Sequence, residues 1–495
     1  MLSLVGPTLQ LHHTSELGLF VRAVFDRFPA IAIATSVKRH IIPSTQLAKY
    51  LLSMSIDVCC YSTGINYPTV ENQLEEKFGD VRIRFRPLIT NSEFVSPGKE
   101  LTDNVSWMQG PSDGEMAVRL EEIVRNLTPP PVCIISDLLA GWSQDVADKF
   151  RIPRHVLYTM PASALLFSFA CFPSLISPQV APEHPPGTWN SMVVTTHAFY
   201  DYMMRNARRL QEASFILVNT FEDLEGRFLD LMRSEVIGKP NVQVQKILSI
   251  GPLIRSSNIE MVSAHSKPSA REEHESFAEV MHWLDAREQS SVLYVSFGSL
   301  LTVTETQIHE LAHGLEICGR PFLWVYRVPN TPQILPADAS TEDSLSEGLP
   351  PGFLERIQGR GKLIRGWAPQ EKILAHKSVG AFMSHCGWNS SLEALWSGKP
   401  LVAWPLAVEQ RLTARYFADM QLAVEVRKND DSIVESAEVV QAISLLMEER
   451  EETGIHSKFD RMQELAHMAV DDGGSSRSNL QVLIDSIKNQ PNPLT

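Results

Sequence analysis

Residues 381–397 read AFMSHCGWNSSLEALWS. The apolar run Ala381 to Ser384 has the length and character of a strand covered on both faces. A loop containing Gly387 follows, and a helical pattern runs from about Ser390 to Ser397. The same strand–loop–helix theme recurs along the chain. Ala30 to Thr35 is a short apolar strand, followed by a loop, Ser36 to Arg39, and a helical pattern from about Ile42 to Met54. Val132 to Ile135 runs into Asp137 and a helix near Trp142 to Phe150, and Phe215 to Asn219 is a later strand. Leu293 to Phe297 leads through Gly298 and Ser299 to a helix from about Glu305 to Cys318 with Thr304 as its cap. Leu401 to Trp404 begins another unit. Strands alternating with helices predict an α/β protein with parallel sheets covered on both faces.

The chain of 495 residues is long enough for two or three domains. Ser256 to Ser276 is rich in Ser, His and charge and follows Gly251–Pro252, so residues 256–276 are expected to link a first domain, 1–255, to a second, 277–470. The acidic, Pro-rich stretch Pro329 to Pro351 is expected to be a surface loop of the second domain. An additional helix is expected at about 15–28, capped by Ser15 and ended by Pro29, with Leu17, Phe20, Val21, Val24, Phe25 and Phe28 on one face.

Lys and Arg total 44 against 58 Asp and Glu, a formal charge of −14. That balance argues against nucleic acid or an anionic membrane as the main partner, since both select basic patches. The most apolar stretch, Met160 to Pro178, is interrupted by Pro161 and Pro173, so no integral membrane span is expected. Six scattered cysteines form no CxxC pair, which suits neither a zinc site nor a disulfide framework. No basic region followed by an apolar run opens the chain, and a reducing, cytoplasmic location is expected.

Chemistry concentrates in Ser384-His-Cys-Gly-Trp-Asn-Ser-Ser391. Asn389 and Ser390 stand at a helix start, where unpaired backbone N–H groups and the positive end of the macrodipole attract phosphate. His385 can donate a further hydrogen bond to an anion. The octapeptide alone fits a capped helix with a packed histidine equally well. Its surroundings are more specific. Residues 367–410 read WAPQEKILAHKSVGAFMSHCGWNSSLEALWSGKPLVAWPLAVEQ, which resembles, without a gap, the signature box of plant-type UDP-dependent glycosyltransferases. Val218-Asn-Thr-Phe-Glu-Asp-Leu-Glu225, Gly251-Pro-Leu253, Trp283-Leu-Asp285, Tyr294-Val-Ser-Phe-Gly-Ser299, Phe322-Leu-Trp-Val325 and Gly474-Ser-Ser476 are similar to further landmarks of that family.

The resemblance implies a GT-B fold, with two Rossmann-like domains facing across a cleft: an N-terminal acceptor domain, a C-terminal UDP-sugar domain, and a last segment, 471–495, returning as a helix to the N-terminal domain. On the donor side, Trp367 would stack on uracil, with the Ala368 backbone and Gln370 addressing the nucleoside. Glu393 would accept from the ribose hydroxyls. His385, Asn389, Ser390 and Ser299 would hold the diphosphate, while Trp388, Glu409 and Gln410 would meet the sugar. No metal and no resident cofactor are implied; UDP-sugar is a co-substrate. On the acceptor side, His40 in His40-Ile-Ile-Pro-Ser-Thr-Gln-Leu-Ala-Lys49 resembles the family's catalytic base, and Asp137 its orienting aspartate. Thr159 would contact the sugar from that side.

The family usually has glycine before this histidine. Here Arg39 stands there, in a loop where arginine would strain to adopt glycine's conformations. The expected function is that of an inverting UDP-glycosyltransferase moving glucose to a hydroxyl of a small lipophilic acceptor, in a cytoplasmic monomer. The alternative is a nucleotide-sugar-binding protein with lost or reduced transfer. No GxGxxG follows any strand, so a dinucleotide-dependent oxidoreductase is disfavoured.

Overall fold

The computed structural model of the protein describes residues 30–34, 38–62, 84–87, 113–170, 197–239, 242–254, 269–298, 303–327, 346–365, 368–407, 409–430, 432–448 and 450–490. The first sheet has seven strands: β1 (Ala30–Ala34), β2 (Val58–Ser62), β3 (Arg84–Pro87), β4 (Cys133–Asp137), β5 (Arg154–Tyr158), β6 (Phe215–Val218) and β7 (Lys246–Ser249). Their order is β3-β2-β1-β4-β5-β6-β7. The second has six: β8 (Val292–Ser296), β9 (Phe322–Tyr326), β10 (Gly361–Arg365), β11 (Val379–Ser384), β12 (Leu401–Ala403) and β13 (Ala423–Glu425), ordered β10-β9-β8-β11-β12-β13. Every described pairing is parallel. Strands β4, β5, β6, β8 and β11 are buried at every position, as in sheets covered on both faces, and β5 buries Arg154 and His155 along with its apolar residues.

In each sheet the strand order reverses once. β1 and β4 lie side by side while their chains leave in opposite directions, and β8 and β11 do the same in the second sheet. A crevice opens beyond the carboxyl ends of the strands at such a switch point, because the two connections diverge. His40 follows β1 and Asp137 ends β4; Phe297–Gly298 follow β8 and His385 follows β11.

Each sheet has its own apolar cores. Helix Ser475–Lys488 places Leu480, Leu483, Ile484 and Ile487 in the core of the first sheet, beside Leu47, Cys133 and Leu217. Cys60 points into that same core, whereas its neighbour Cys59 packs on the opposite side with Tyr61. The cap at Thr304 forms, its side chain accepting from the Gln307 amide.

Two boundaries differ from the sequence reading. The first helix runs Lys38–Ser53, so Lys38 and Arg39 belong to it and not to a loop. Pro43 suggested a later start, because proline favours a first turn. The structure instead holds it inside the helix, and the Ser44 hydroxyl donates to the His40 carbonyl at 2.7 Å. The stretch expected as a linker is helical from Ser269, within Ser269–Asp285. Its polar composition concealed good helix formers, Ala270, Arg271, Glu272 and Glu273. The expected helix at 15–28 lies outside the described residues, as do Trp367, Ser299 and most of the acidic loop after Pro329.

Candidate active site

His40 stands in the first turn of its helix, and its Nδ1 lies 2.7 Å from Asp137 Oδ2. Ninety-seven residues separate the two in sequence; adjacency of β1 and β4 brings them together. The Asp137 side chain is fully buried and that of His40 is 12% exposed. The second carboxylate oxygen of Asp137 accepts from the Leu139 amide at 2.8 Å. Asp137 is therefore both a local turn-former and a hydrogen-bond partner for His40. Tyr202 donates to the Leu139 carbonyl at 2.8 Å and braces the turn. Arg39 lies in a right-handed helical turn, so the strain anticipated there does not arise.

Thr159 follows β5, buried, with no hydrogen-bond partner for its hydroxyl among the described residues. At the other end of β5, Arg154 is buried and its guanidinium donates to neutral groups: the Ser136 hydroxyl at 2.8 Å, Gln144 Oε1 and the Arg209 carbonyl, both at 3.1 Å. Desolvation pulls its guanidinium down to about 10.

On the other sheet, β11 runs through His385, Cys386 and Gly387 into helix Trp388–Ser397. The left-handed residue of this loop is Cys386 (φ 61°); Gly387 is extended (φ −61°, ψ 140°). Cys386 is fully buried and its amide donates to the Ser384 hydroxyl at 3.1 Å. A non-glycine residue held at positive φ costs on the order of 1–3 kcal/mol, and such residues cluster at ligand clamps. Here the kink turns the backbone into the helix start, whose first N–H groups have no partner within the helix. His385 is buried at this turn.

Gln370 opens the short helix Gln370–Leu374, and its amide nitrogen lies 3.0 Å from Ser390 Oγ and 2.5 Å from Glu393 Oε2. The Tyr294 hydroxyl is 3.5 Å from Gln370 Oε1. Burial pushes the Glu393 carboxyl up to about 8, helped by the nearby Glu371 carboxylate and opposed by the Gln370 hydrogen bond. Gln370, Ser390 and Glu393 thus form one polar cluster, with Ala368 buried beside the same helix start.

Two expected sugar contacts are turned inward. The Trp388 indole is buried against Phe417, edge to face at 6.3 Å, and its N–H donates to the Asn219 carbonyl at 2.7 Å. What Trp388 offers the loop is its backbone N–H at the first helical position. Gln410 spends its carbonyl oxygen on the amides of Leu406 (2.9 Å) and Ala407 (3.0 Å), bracing the turn into helix Gln410–Asp419. Glu409 stands at that helix start, its carbonyl accepting from Thr413.

Glu225 ends the segment 218–225 and has no role among those that the resemblance implies. Its carboxylate is fully buried and accepts from the amides of Ala162 (2.8 Å) and Ser163 (3.2 Å). Burial pushes it up to about 7, against the pull of those N–H groups. A signal was present: Glu225 falls in register with Leu229, Met232 and Val236, so it is a charge on the buried stripe of its helix.

Among the described residues, no group of three or more His, Cys, Asp or Glu is placed to hold a metal. No described helix is long and apolar enough to cross a membrane.

The chain matches known proteins over nearly its whole length. A family profile described as UDP-glucoronosyl and UDP-glucosyl transferase matches residues 252–456. UDP-glycosyltransferase 72B1 of Arabidopsis thaliana is 33% identical over 482 residues, covering 92% of this chain and 95% of the relative. The scopoletin glucosyltransferase of Nicotiana tabacum is 30% identical over 90% of this chain and 95% of its own. Among solved structures, Phytolacca americana UGT2 complexed with UDP-2fluoro-glucose and pterostilbene superposes with a TM-score of 0.73 at 26% identity. That alignment covers 93% of this chain and 99% of the other. The two parallel sheets are those of a GT-B enzyme, and the chain belongs to the UDP-glycosyltransferase family.

Proposed function

We propose that the protein transfers glucose from UDP-glucose to a hydroxyl of a small lipophilic acceptor, with inversion at the anomeric carbon. The observation that carries this reading is the His40–Asp137 pair, with its carboxylate buried, at the β1/β4 switch point. An ionised Asp137 accepting from Nδ1–H fixes the imidazole tautomer and leaves Nε2 as the basic nitrogen. The acceptor hydroxyl then loses its proton to Nε2 as its oxygen forms the bond to the anomeric carbon. The bond from that carbon to the diphosphate oxygen breaks with its electron pair going to UDP. A buried carboxylate beside the ring stabilises the imidazolium formed, a general-base contribution of about 10²–10⁴-fold.

Across the cleft, the backbone N–H groups at Trp388–Ser390, with His385 and Asn389, receive the diphosphate and its growing charge in place of a metal ion. Glu393, paired with Gln370, accepts from the ribose hydroxyls. Trp367 and Ala368 enclose the uracil. Ser299 adds a phosphate contact, Glu409 and Thr159 face the sugar, and Gln410, its carbonyl oxygen held by the Leu406 and Ala407 amides, shapes the turn beside it. Glucose is preferred as donor because of the closing Gln410. Phenolic acceptors are supported by the similarity to a scopoletin glucosyltransferase and to an enzyme solved with pterostilbene. A cytoplasmic monomer that uses neither metal nor resident cofactor completes the proposal.

The test is incubation of the purified protein with UDP-glucose and a panel of phenolic and terpenoid alcohols, with UDP release and product mass followed together. A gain of one hexose, dependent on acceptor and β-configured by its proton coupling, is the expected outcome. UDP binding by calorimetry with no product from any acceptor would favour a nucleotide-sugar-binding protein instead.

A further inference from the structure

The segment Asn219–Glu225 lies between the two sheets and is gripped from both. On one side, Phe221 and Leu224 are buried in the apolar cluster of the second sheet with Trp388, Leu392 and Phe417. The Trp388 indole donates to the Asn219 carbonyl, and the Tyr416 hydroxyl donates to the Leu224 carbonyl. On the other side stands Glu225, which departs from helical geometry (φ −129°, ψ 20°) within Glu222–Val236. Its carboxylate reaches the first two amides of helix Ala162–Ala170. That helix cannot cap itself, because the residue before it is Pro161, whose side chain has no acceptor. Glu225 supplies the missing cap from 63 residues away.

Helix Ala162–Ala170 begins three residues after Thr159. Its Ala162, Leu165 and Leu166 share a cluster with Leu138 and Leu139, the turn whose Leu139 amide holds Asp137. The contacts are therefore continuous from the phosphate-loop helix to the acceptor side. They run from Trp388 and Tyr416 to Asn219–Leu224, then through Glu225 and the start of helix Ala162–Ala170 to the Leu138–Leu139 turn.

We infer that Glu225 is a positioning residue that couples the two faces of the cleft: its carboxylate carries displacements of the second sheet to the first turn of helix Ala162–Ala170, and so sets Thr159 and the Asp137 turn when nucleotide binds. The inference rests on the donor site proposed above and deepens it. Two packed surfaces with a shared, fully buried polar link move as a unit, because a buried carboxyl and the amides it accepts from cannot part there without leaving unpaired polar groups.

Hydrogen–deuterium exchange of the full chain with and without saturating UDP tests this without any acceptor. In the wild type, UDP should slow exchange in peptides covering 385–393 and also, by about fivefold or more, in those covering 159–166. Glu225→Gln, which turns an amide NH₂ toward donors, should keep the first response and lose the second. A merely structural cap would speed exchange at 159–166 equally with and without UDP, leaving the ratio intact. Tyr416→Phe, at the other end of the link, should reduce the second response alone and serves if the Glu225 variant does not fold. Protection confined to 385–393 in the wild type, or a full response at 159–166 in either variant, would overturn the inference. Absence of protection at 385–393 would overturn the donor site and the coupling together.

Discussion

Among the described residues, two histidine–aspartate pairs occur at opposite ends of their sheets. His40 and Asp137 meet at the carboxyl ends of β1 and β4, with the aspartate fully buried. His376 lies just before β11, with its Nε2 3.1 Å from Asp285, a carboxylate that is 66% exposed. The second pair even has a serine: His376 Nδ1 is 2.8 Å from the Ser378 hydroxyl, so the residue types of a hydrolytic triad stand in line. Yet the Ser378 amide donates to that same Nδ1 at 3.2 Å, and Ser378 is fully buried. Nδ1 must then be the acceptor, held by Ser378 of its own turn, and Nε2–H the donor that pins Asp285 at the end of helix Ser269–Asp285. In the first pair the tautomer is reversed and Nε2 is the basic nitrogen. On the proposed function, position at a switch point and burial of the carboxylate separate the catalytic pair from the bracing one; residue types do not.

The largest effect expected from breaking this contrast is that of His40→Ala. It should lower kcat by about 10²–10⁴-fold while UDP affinity, read by calorimetry, stays within twofold. Near-normal turnover would remove His40 as the base. Asp137→Asn should follow, with roughly 10²–10³-fold loss in kcat, since the amide cannot hold the Nδ1–H tautomer or offset the imidazolium.

A third buried group sharpens the contrast through pH. Glu393 is raised to about 8, above its unfolded range, so between about pH 4.5 and 8 the folded state holds the extra proton. Stability should therefore fall as pH rises through this window, and Glu393→Gln should gain in melting temperature relative to wild type at pH 8.5 compared with pH 5. On the proposed donor site, ionisation also strengthens the acceptor offered to the ribose hydroxyls, so uridine affinity should rise several-fold from pH 6.5 to 8.5, a rise that Glu393→Gln abolishes.

On the bracing side, His376→Ala should leave kcat within twofold and cost about 1–2 kcal/mol in urea denaturation, the value of its buried hydrogen bonds. Asp285→Asn should be smallest, about 0.5 kcal/mol or less, because an exposed partner is screened by solvent. A catalytic defect in either would dissolve the distinction between the two pairs.

Much of this was legible in the sequence. The strands around Val132, Phe215, Leu293, Ala381 and Leu401 were found because buried parallel strands are short apolar runs, and the signature box placed its helix start without a gap. What escaped depends on contacts between distant residues. Trp388 and Asn219 are 169 positions apart, and only their meeting sends the indole into the core. Gln410 turned inward because two amides of its own loop lacked acceptors. The early start at Lys38 was hidden by Pro43, whose lost hydrogen bond the tertiary fold tolerates.

Helix Ser475–Lys488 has a consequence for how the molecule is made. It completes the core of the first sheet, whose last strand ends at Ser249, so 239 residues must still be translated before that core can close. At about 5–20 residues per second this is a wait of roughly 12–48 s. During that interval Leu47, Leu217 and Leu248 lack their final covering, and the nascent chain presents them to whatever attends the ribosome. The two sheets are consequently stitched by the order of synthesis as well as by their contacts, and the half made first matures only after the half made last.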